Sequence, residues 1–343
     1  TYKAVALPFE LRRQAELLMH KHSEQDYTRG SYRRQGFRSE FFAATPESIR
    51  RTSNRQGLND FIRHNFIISS IIGGMKTPAK QILLTNDDGI LSPGLWAAAR
   101  ALAELGYVWV AAPRQQYSSA GRSLPNNSDG IIEERQVNVN GQDWKVYAIG
   151  GSPAQAVQHA LIEILPTKPD LVVSGINYGE NVGTGVTVSG TIGAAMEAAT
   201  FGIPALAVSL QLEVIDDFLS YSEKVDFSTA AFFTQTIARQ MLHKPLPRDV
   251  DILKVEVPVC ATPQTPWHIT RQSRHRYYES FAVREDGWHS PGKIGARINI
   301  TQEEAEPGSD IQTLLSGLVS VTPLSLDMTS RCDLRTLERS LKS

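Results

Sequence analysis

Cysteine is scarce in this chain: Cys260 and Cys332 are the only two among 343 residues. Two thiols so far apart supply neither a disulfide framework nor a cysteine zinc site, and they fit a reducing interior. Excess charge is also missing. Thirty-five Lys and Arg against 36 Asp and Glu leave a formal net charge of −1, without the basic field that binders of nucleic-acid polymers use. No run approaches the roughly 18 apolar residues that span a membrane, and the stretch from Phe66 to Ile72 is short and broken by two serines. No apolar core near the start suggests a secretory signal, so the expected compartment is the cytoplasm. The eight histidines show no metal-ligand spacing.

What is present is apolar bulk, 41% of residues, ample for a buried core. Its most informative use is Ile82-Leu83-Leu84-Thr85-Asn86-Asp87-Asp88-Gly89-Ile90, an apolar run ending in adjacent carboxylates and a glycine. A buried parallel strand delivers the residues after its C-terminal end to the crevice where open α/β sheets bind ligands. Two acids there call for a divalent cation or a cationic substrate, because otherwise one of them is driven to protonate. The competing reading is a solvated Asp-Gly turn.

The strand, loop and helix grammar then repeats. Ser92-Pro93 reads as the N-cap and first residue of a helix with Leu95, Ala99 and Leu102 at helical spacing, ended by Gly106, before a strand Val108–Ala112 closed by Pro113. Ser152-Pro153 caps a helix running to about Leu165, followed by a strand from Leu171 to Ser174 and a glycine-rich loop from Gly175 to Gly183. A further helix starts near Ser189-Gly190-Thr191 and precedes the strand Ala205–Ser209. The expected fold is α/β, a Rossmann-like, three-layer, doubly wound and mostly parallel sheet. The loops at Asp87/Asp88, Gln115–Ser123 and Asn177–Thr191 should converge on one sheet edge.

Thr85-Asn86-Asp87-Asp88-Gly89, Ala112-Pro113 with Ser118, Ser174-Gly175-Ile176-Asn177 and Ser189-Gly190-Thr191 with Ala194-Ala195-Met196-Glu197 together resemble the SurE family, as does Leu318–Leu324 near the C-terminus. The resemblance covers residues 75 to 330 and implies a divalent-metal-dependent phosphatase acting on nucleoside 5′- and 3′-monophosphates, with short polyphosphate as an alternative substrate. It carries metal ligation to Asp87, Asp88, Ser118 and Asn177. These are oxygen donors throughout, suited to one Mg²⁺ or Mn²⁺ per subunit. Phosphate binding falls to Asn181, Ser189, Gly190 and Thr191, where a helix N-terminus favours anions; the plainer alternative is that Ser189 is simply an N-cap. Asp87, Asp88 and Asn181 are the expected catalytic residues. Direct attack by water is expected, with an aspartyl-phosphate route as the alternative.

Family members commonly carry an acid where this chain has Arg114, and Gly-Thr-Pro-x-Asp where it has Gly151-Ser152-Pro153-Ala154-Gln155. These departures bear on substrate preference. The basic cluster Arg271–Tyr278 reads as a charged surface, with an acidic partner or a neighbouring subunit's substrate as the alternative. By resemblance, residues from about 245 to 330 include β-hairpin and tail elements for assembly into a homodimer or homotetramer, and 331 to 343 form a tail. Residues 1 to 74 match no motif. Met75 is the expected natural start, leaving the preceding segment as upstream translation or disordered sequence, and a transit peptide is the rival. Two competitors remain: a nucleotide-dependent oxidoreductase, disfavoured by the acidic first turn, and a non-catalytic nucleotide-binding or regulatory protein.

Overall fold

A computed structural model describes residues 79–139, 141–212 and 225–343, all within one compact unit, Lys76–Ser343. The expectations for residues 1 to 74, Met75 among them, lie outside the described residues. β1 (Lys80–Thr85), β2 (Gly106–Pro113), β4 (Gln142–Ile149), β5 (Leu171–Tyr178), β6 (Ala205–Leu210) and β7 (Ile252–Val257) form the parallel centre of a nine-stranded sheet. β3 (Ile132–Val139) pairs antiparallel to β4 at one edge. At the other, β11 (Val319–Leu324) runs antiparallel to β7 and parallel to the short β8 (Trp267–Ile269). The order is β3-β4-β2-β1-β5-β6-β7-β11-β8.

Helices cover both faces. α1 (Pro93–Ala103) and α4 (Ser228–His243) bury Leu95, Leu102, Phe233 and Ile237 on one side, with Leu84 and Val173 of the sheet. α2 (Pro153–His159) and α3 (Gly190–Thr200) bury Val157, Ile192 and Ala195 on the other, with Leu83 and Val172. Alternate residues of one strand thus enter opposite cores, which is why these strands are apolar throughout rather than alternating. This is the expected three-layer α/β arrangement.

Chain order places the site. From β1 the chain moves to β2 on one side and later returns to β5 on the other, so the strand order reverses between β1 and β5. A crevice opens at such a switch point, beyond the carboxyl ends of the strands. Asp87 and Asp88 come directly after β1, and Asn177 lies at the end of β5.

Several boundaries differ from the sequence expectation. Gly106 does not end α1, which stops at Ala103; it opens β2, where a Cβ would lie 2.2 Å from the Lys80 carbonyl oxygen. Ser92 occupies the N-cap position with extended backbone, but its side chain makes no capping bond. The first part of the Gly175–Gly183 loop is strand, since β5 continues through Tyr178. α2 carries the expected capping box, with Ser152 and Gln155 bonding reciprocally, and continues as a π-helical turn over Ala160–Ile164. After β7 come the hairpin β9 (Tyr278–Val283) and β10 (Lys293–Ile298), the short α5 (Asp310–Leu315) and α6 (Leu334–Lys342), which buries no residue. Among the described residues, no helix is long and apolar enough to cross a membrane.

Gly94 tests the close packing of α1 on β5. A Cβ there would sit 2.1 Å from the Ile176 carbonyl oxygen. Alanine is the better helix former by about 1 kcal/mol, yet Gly94→Ala should destabilise the fold by roughly 1–3 kcal/mol through overpacking. Urea unfolding reads the sign directly, and a more stable variant would contradict this packing.

Candidate metal and phosphate site

The turn after β1 is built by Asn86. Its side chain donates to the Gly89 carbonyl at 3.0 Å and accepts from the Gly89 N–H at 3.1 Å, while Gly89 takes φ +95°, a conformation glycine reaches without strain. This staple holds Asp87 and Asp88 outside the regular strand, so they escape its alternation and find different partners. Asp87 Oδ1 accepts from the Thr191 hydroxyl at 2.5 Å, and the backbone amides of Gly190 and Thr191 favour its charged form. A Cβ on Gly190 would approach the Asp87 carboxylate to 2.7 Å, so only glycine lets the start of α3 close on it. Asp88 Oδ2 accepts from the Tyr178 N–H at 3.1 Å, and its Oδ1 accepts from Gln116 Nε2 at 3.3 Å.

Both carboxylates are buried, Asp87 at 4% and Asp88 at 0% exposure. Burial pushes Asp87 above the usual carboxylate range against the pull of the Thr191 hydroxyl and the α3 amides. Asp88 is pushed further up, by burial first and then by the charge on Asp87.

The neighbouring candidates reach the same edge. The Tyr117 N–H bonds the Asp87 carbonyl at 2.7 Å, fixing the loop that carries half-buried Ser118. Asn177 uses its amide nitrogen on the Tyr178 and Gly179 carbonyls, at 3.1 and 2.7 Å, so its oxygen is the end left for a ligand. Asn177 pairs in register with Ser209 of β6, whose hydroxyl accepts from Asn181 Nδ2 at 2.9 Å. Ser189 has the N-cap role, its hydroxyl accepting from the Ile192 N–H. Thr191 and the start of α3 engage Asp87, and Thr191 is fully buried.

Among the described residues, no three His, Cys, Asp or Glu side chains gather into a metal cluster. A cation here would therefore take neutral oxygens beside the two carboxylates, and Ser118 on the loop pinned to Asp87 and Asn177 at the end of β5 carry oxygens of that kind. Hydroxyl, amide and carboxylate oxygens suit a hard cation, and a positive charge is what an acid pair raised by burial lacks. The residues fit the group.

Residues 82–279 match the family model described as Survival protein SurE. The chain belongs to the SurE family. It is 42% identical over 264 residues to the 5′-nucleotidase SurE of Thermococcus kodakarensis, a match covering 76% of this chain and 98% of that protein. The 5′-nucleotidase SurE of Archaeoglobus fulgidus is 43% identical over 261 residues, covering 75% and 96%. The crystal structure of SurE from Aquifex aeolicus superimposes with a TM-score of 0.61 at 32% identity, covering 76% of this chain and 98% of that one.

The departures from the common SurE pattern have partners away from the acid pair. Arg114 bonds Glu133 at 2.8 Å and pairs with Asp129. Gln155 holds Ser152 from within the capping box, accepts from Ser128, and donates to the Pro125 carbonyl at 2.9 Å. Both organise the 123–133 segment. In the basic cluster, the three arginines and His275 are exposed, whereas Ser273 and Tyr277 are buried.

The sequence reading missed Asn86, whose signal was its place ahead of Asp-Asp-Gly, and the buried charges of β7. Lys254 and Glu256 are both 0% exposed. Lys254 Nζ donates to Asp310 at 2.8 Å and lies 3.6 Å from Glu256.

The raised pair makes a signed prediction for metal-free protein. A carboxylate whose folded pKa lies above its unfolded value costs stability as pH rises from the ordinary range near 4 through the folded value. Asp88→Asn should therefore stabilise the chelator-treated protein at pH 8 by roughly 1–3 kcal/mol and change it little at pH 4. Thermal unfolding in EDTA at both values checks this. Equal effects at the two would contradict burial of an ionised Asp88.

Proposed function

We propose that this chain is a 5′-nucleotidase, a metal-dependent hydrolase releasing phosphate from nucleoside 5′-monophosphates and, as a second position, 3′-monophosphates. The observation that carries the proposal is the buried Asp87/Asp88 pair at the switch point beside neutral oxygen donors, in a SurE chain whose relatives bear that activity in their names.

Asp87, Asp88, Ser118 and Asn177 would hold one cation per subunit, Mg²⁺ or Mn²⁺. When bound, that ion supplies Lewis-acid stabilisation of phosphoryl charge and lowers the pKa of water. The chain's own groups do the rest. The Thr191 hydroxyl and the α3 amides fix Asp87, which steers the attacking water and accepts its proton. Asn181 faces the phosphoryl group and donates to oxygens whose charge grows in the transition state. Ser189, Gly190 and Thr191 contribute the helix N-terminus that both settles Asp87 and favours the anion. The buried position keeps bulk water from screening these contacts.

Association of copies belongs to the same reading. The β9–β10 hairpin exposes Phe281, Trp288 and Ile294, and α6 presents Leu334, Leu337 and Leu341 to solvent at helical spacing. Apolar rows of this kind call for a cover, and a homodimer or homotetramer supplies one. Two exposed free cysteines suit a reducing compartment, and we place the protein in the cytoplasm.

Phosphate release from a panel of nucleoside monophosphates and short polyphosphate, with Mg²⁺, Mn²⁺ or EDTA, tests the activity. Metal-dependent release should fall at least about 100-fold in Asp88→Ala. A folded protein that binds nucleotide but releases no phosphate with any metal would instead be a binding protein.

A further inference from the structure

β7 carries two charges where a central strand ordinarily carries apolar side chains. Lys254 and Glu256, two residues apart, share one face of the sheet, and both are completely buried between β6 and β11. Burying ionised groups costs several kcal/mol each unless hydrogen bonds and opposite charge compensate, so their partners are informative. Those partners converge on one residue. Glu256 Oε2 accepts from the Asn181 N–H at 2.9 Å, and Lys254 Nζ donates to the Asn181 carbonyl at 2.9 Å. On the next strand, Ser209 accepts from Asn181 Nδ2 at 2.9 Å. Both peptide groups and the carboxamide of Asn181 are therefore held.

The clamp is anchored behind. Lys254 also donates to Asp310 Oδ2 at 2.8 Å, and Asp310 accepts from the N–H groups of Gly183, Ser273 and Ile311. The loop from Asn181 to Gly183 is thus tied to β6, β7 and the first residue of α5, while Asn181 itself is half-buried beside Ser209, near the C-terminal end of β6.

We propose that Lys254, Glu256 and Ser209 are positioning residues for the hydrolysis, acting through Asn181 to aim its carboxamide at the phosphoryl group. This rests on the hydrolase reading above. None of the three touches the substrate. A carboxamide that meets charge only as it develops must be preplaced, because reorientation during the reaction would consume the stabilisation it gives. A displacement near 1 Å at such a donor costs up to about 100-fold in rate.

The test measures kcat and KM for nucleoside 5′-monophosphate hydrolysis by Glu256→Ala, Glu256→Gln and Ser209→Ala, each also combined with Asn181→Ala, in full-length protein with saturating Mn²⁺. Folding is checked by thermal unfolding. Glu256→Ala should lower kcat roughly 10- to 100-fold with KM changed less than about threefold. Glu256→Gln, which keeps an acceptor for the Asn181 N–H, should recover most of the rate. In the Asn181→Ala background, neither Glu256→Ala nor Ser209→Ala should lower kcat further, because the group they aim is gone. Should Glu256→Ala fail to fold, Ser209→Ala removes only a hydroxyl and carries the same cycle. Unchanged kcat in folded variants, or losses that add fully to that of Asn181→Ala, would overturn the clamp while leaving the hydrolase reading intact. Wild-type protein that releases no phosphate would overturn the reading and the clamp together.

Discussion

Two carboxylates buried side by side beyond β1 constrain everything around them. A pair this close repels, and burial removes the water that would otherwise screen it. The surrounding structure answers with oriented donors on both sides. The Thr191 hydroxyl and the opening amides of α3 face Asp87, and the Tyr178 N–H and Gln116 face Asp88. These donors moderate the rise in pKa without abolishing it. The balance left over is a demand for positive charge at the end of β1.

That demand explains features that look unrelated along the chain. Gly190 is glycine because any side chain would enter the Asp87 carboxylate, and Gly89 is glycine because the turn needs positive φ. The loop bearing Ser118 is pinned by the Tyr117 N–H on Asp87 and by a Gly121 N–H on the Val188 carbonyl at 2.9 Å. A second group of buried charges, Lys254, Glu256 and Asp310, lies beneath the Asn181 loop. One set of acids creates the field in the crevice, and the other fixes Asn181, the residue proposed to meet the phosphoryl group. Both are expensive to bury, and function is the compensation.

Much of this was legible from residue order because the central strands are short apolar runs with punctuated ends. Capping chemistry at Ser152-Pro153 and Ser189-Gly190 located helix starts, and the acidic turn located the crevice. Boundaries failed where backbone approach, not propensity, decides. Gly106 resembles a helix stop but serves the contact between β1 and β2, and the glycines after Leu171 obscured that β5 runs on to Tyr178. The charged strand was not legible for a different reason. Ile252-Leu253-Lys254-Val255-Glu256-Val257 alternates like a half-exposed strand, yet it is buried on both faces, and Asp310, which neutralises Lys254, lies 56 positions away. Pairing at that separation leaves no local pattern. The phosphate assignment for Thr191 likewise rested on its place at a helix start, which cannot reveal that its hydroxyl bonds Asp87.

The assignment of this pair to a cation is tested most directly by calorimetric titration of metal-free protein with Mn²⁺ near pH 7, in buffers of different ionisation heat. A carboxyl held partly protonated by burial must give up its proton when a cation replaces it. Saturable binding should release up to about one proton per cation, and Asp88→Asn should lose both the binding and the proton. Binding of equal strength in Asp88→Asn, or binding with no proton released, would contradict the pair as the metal site.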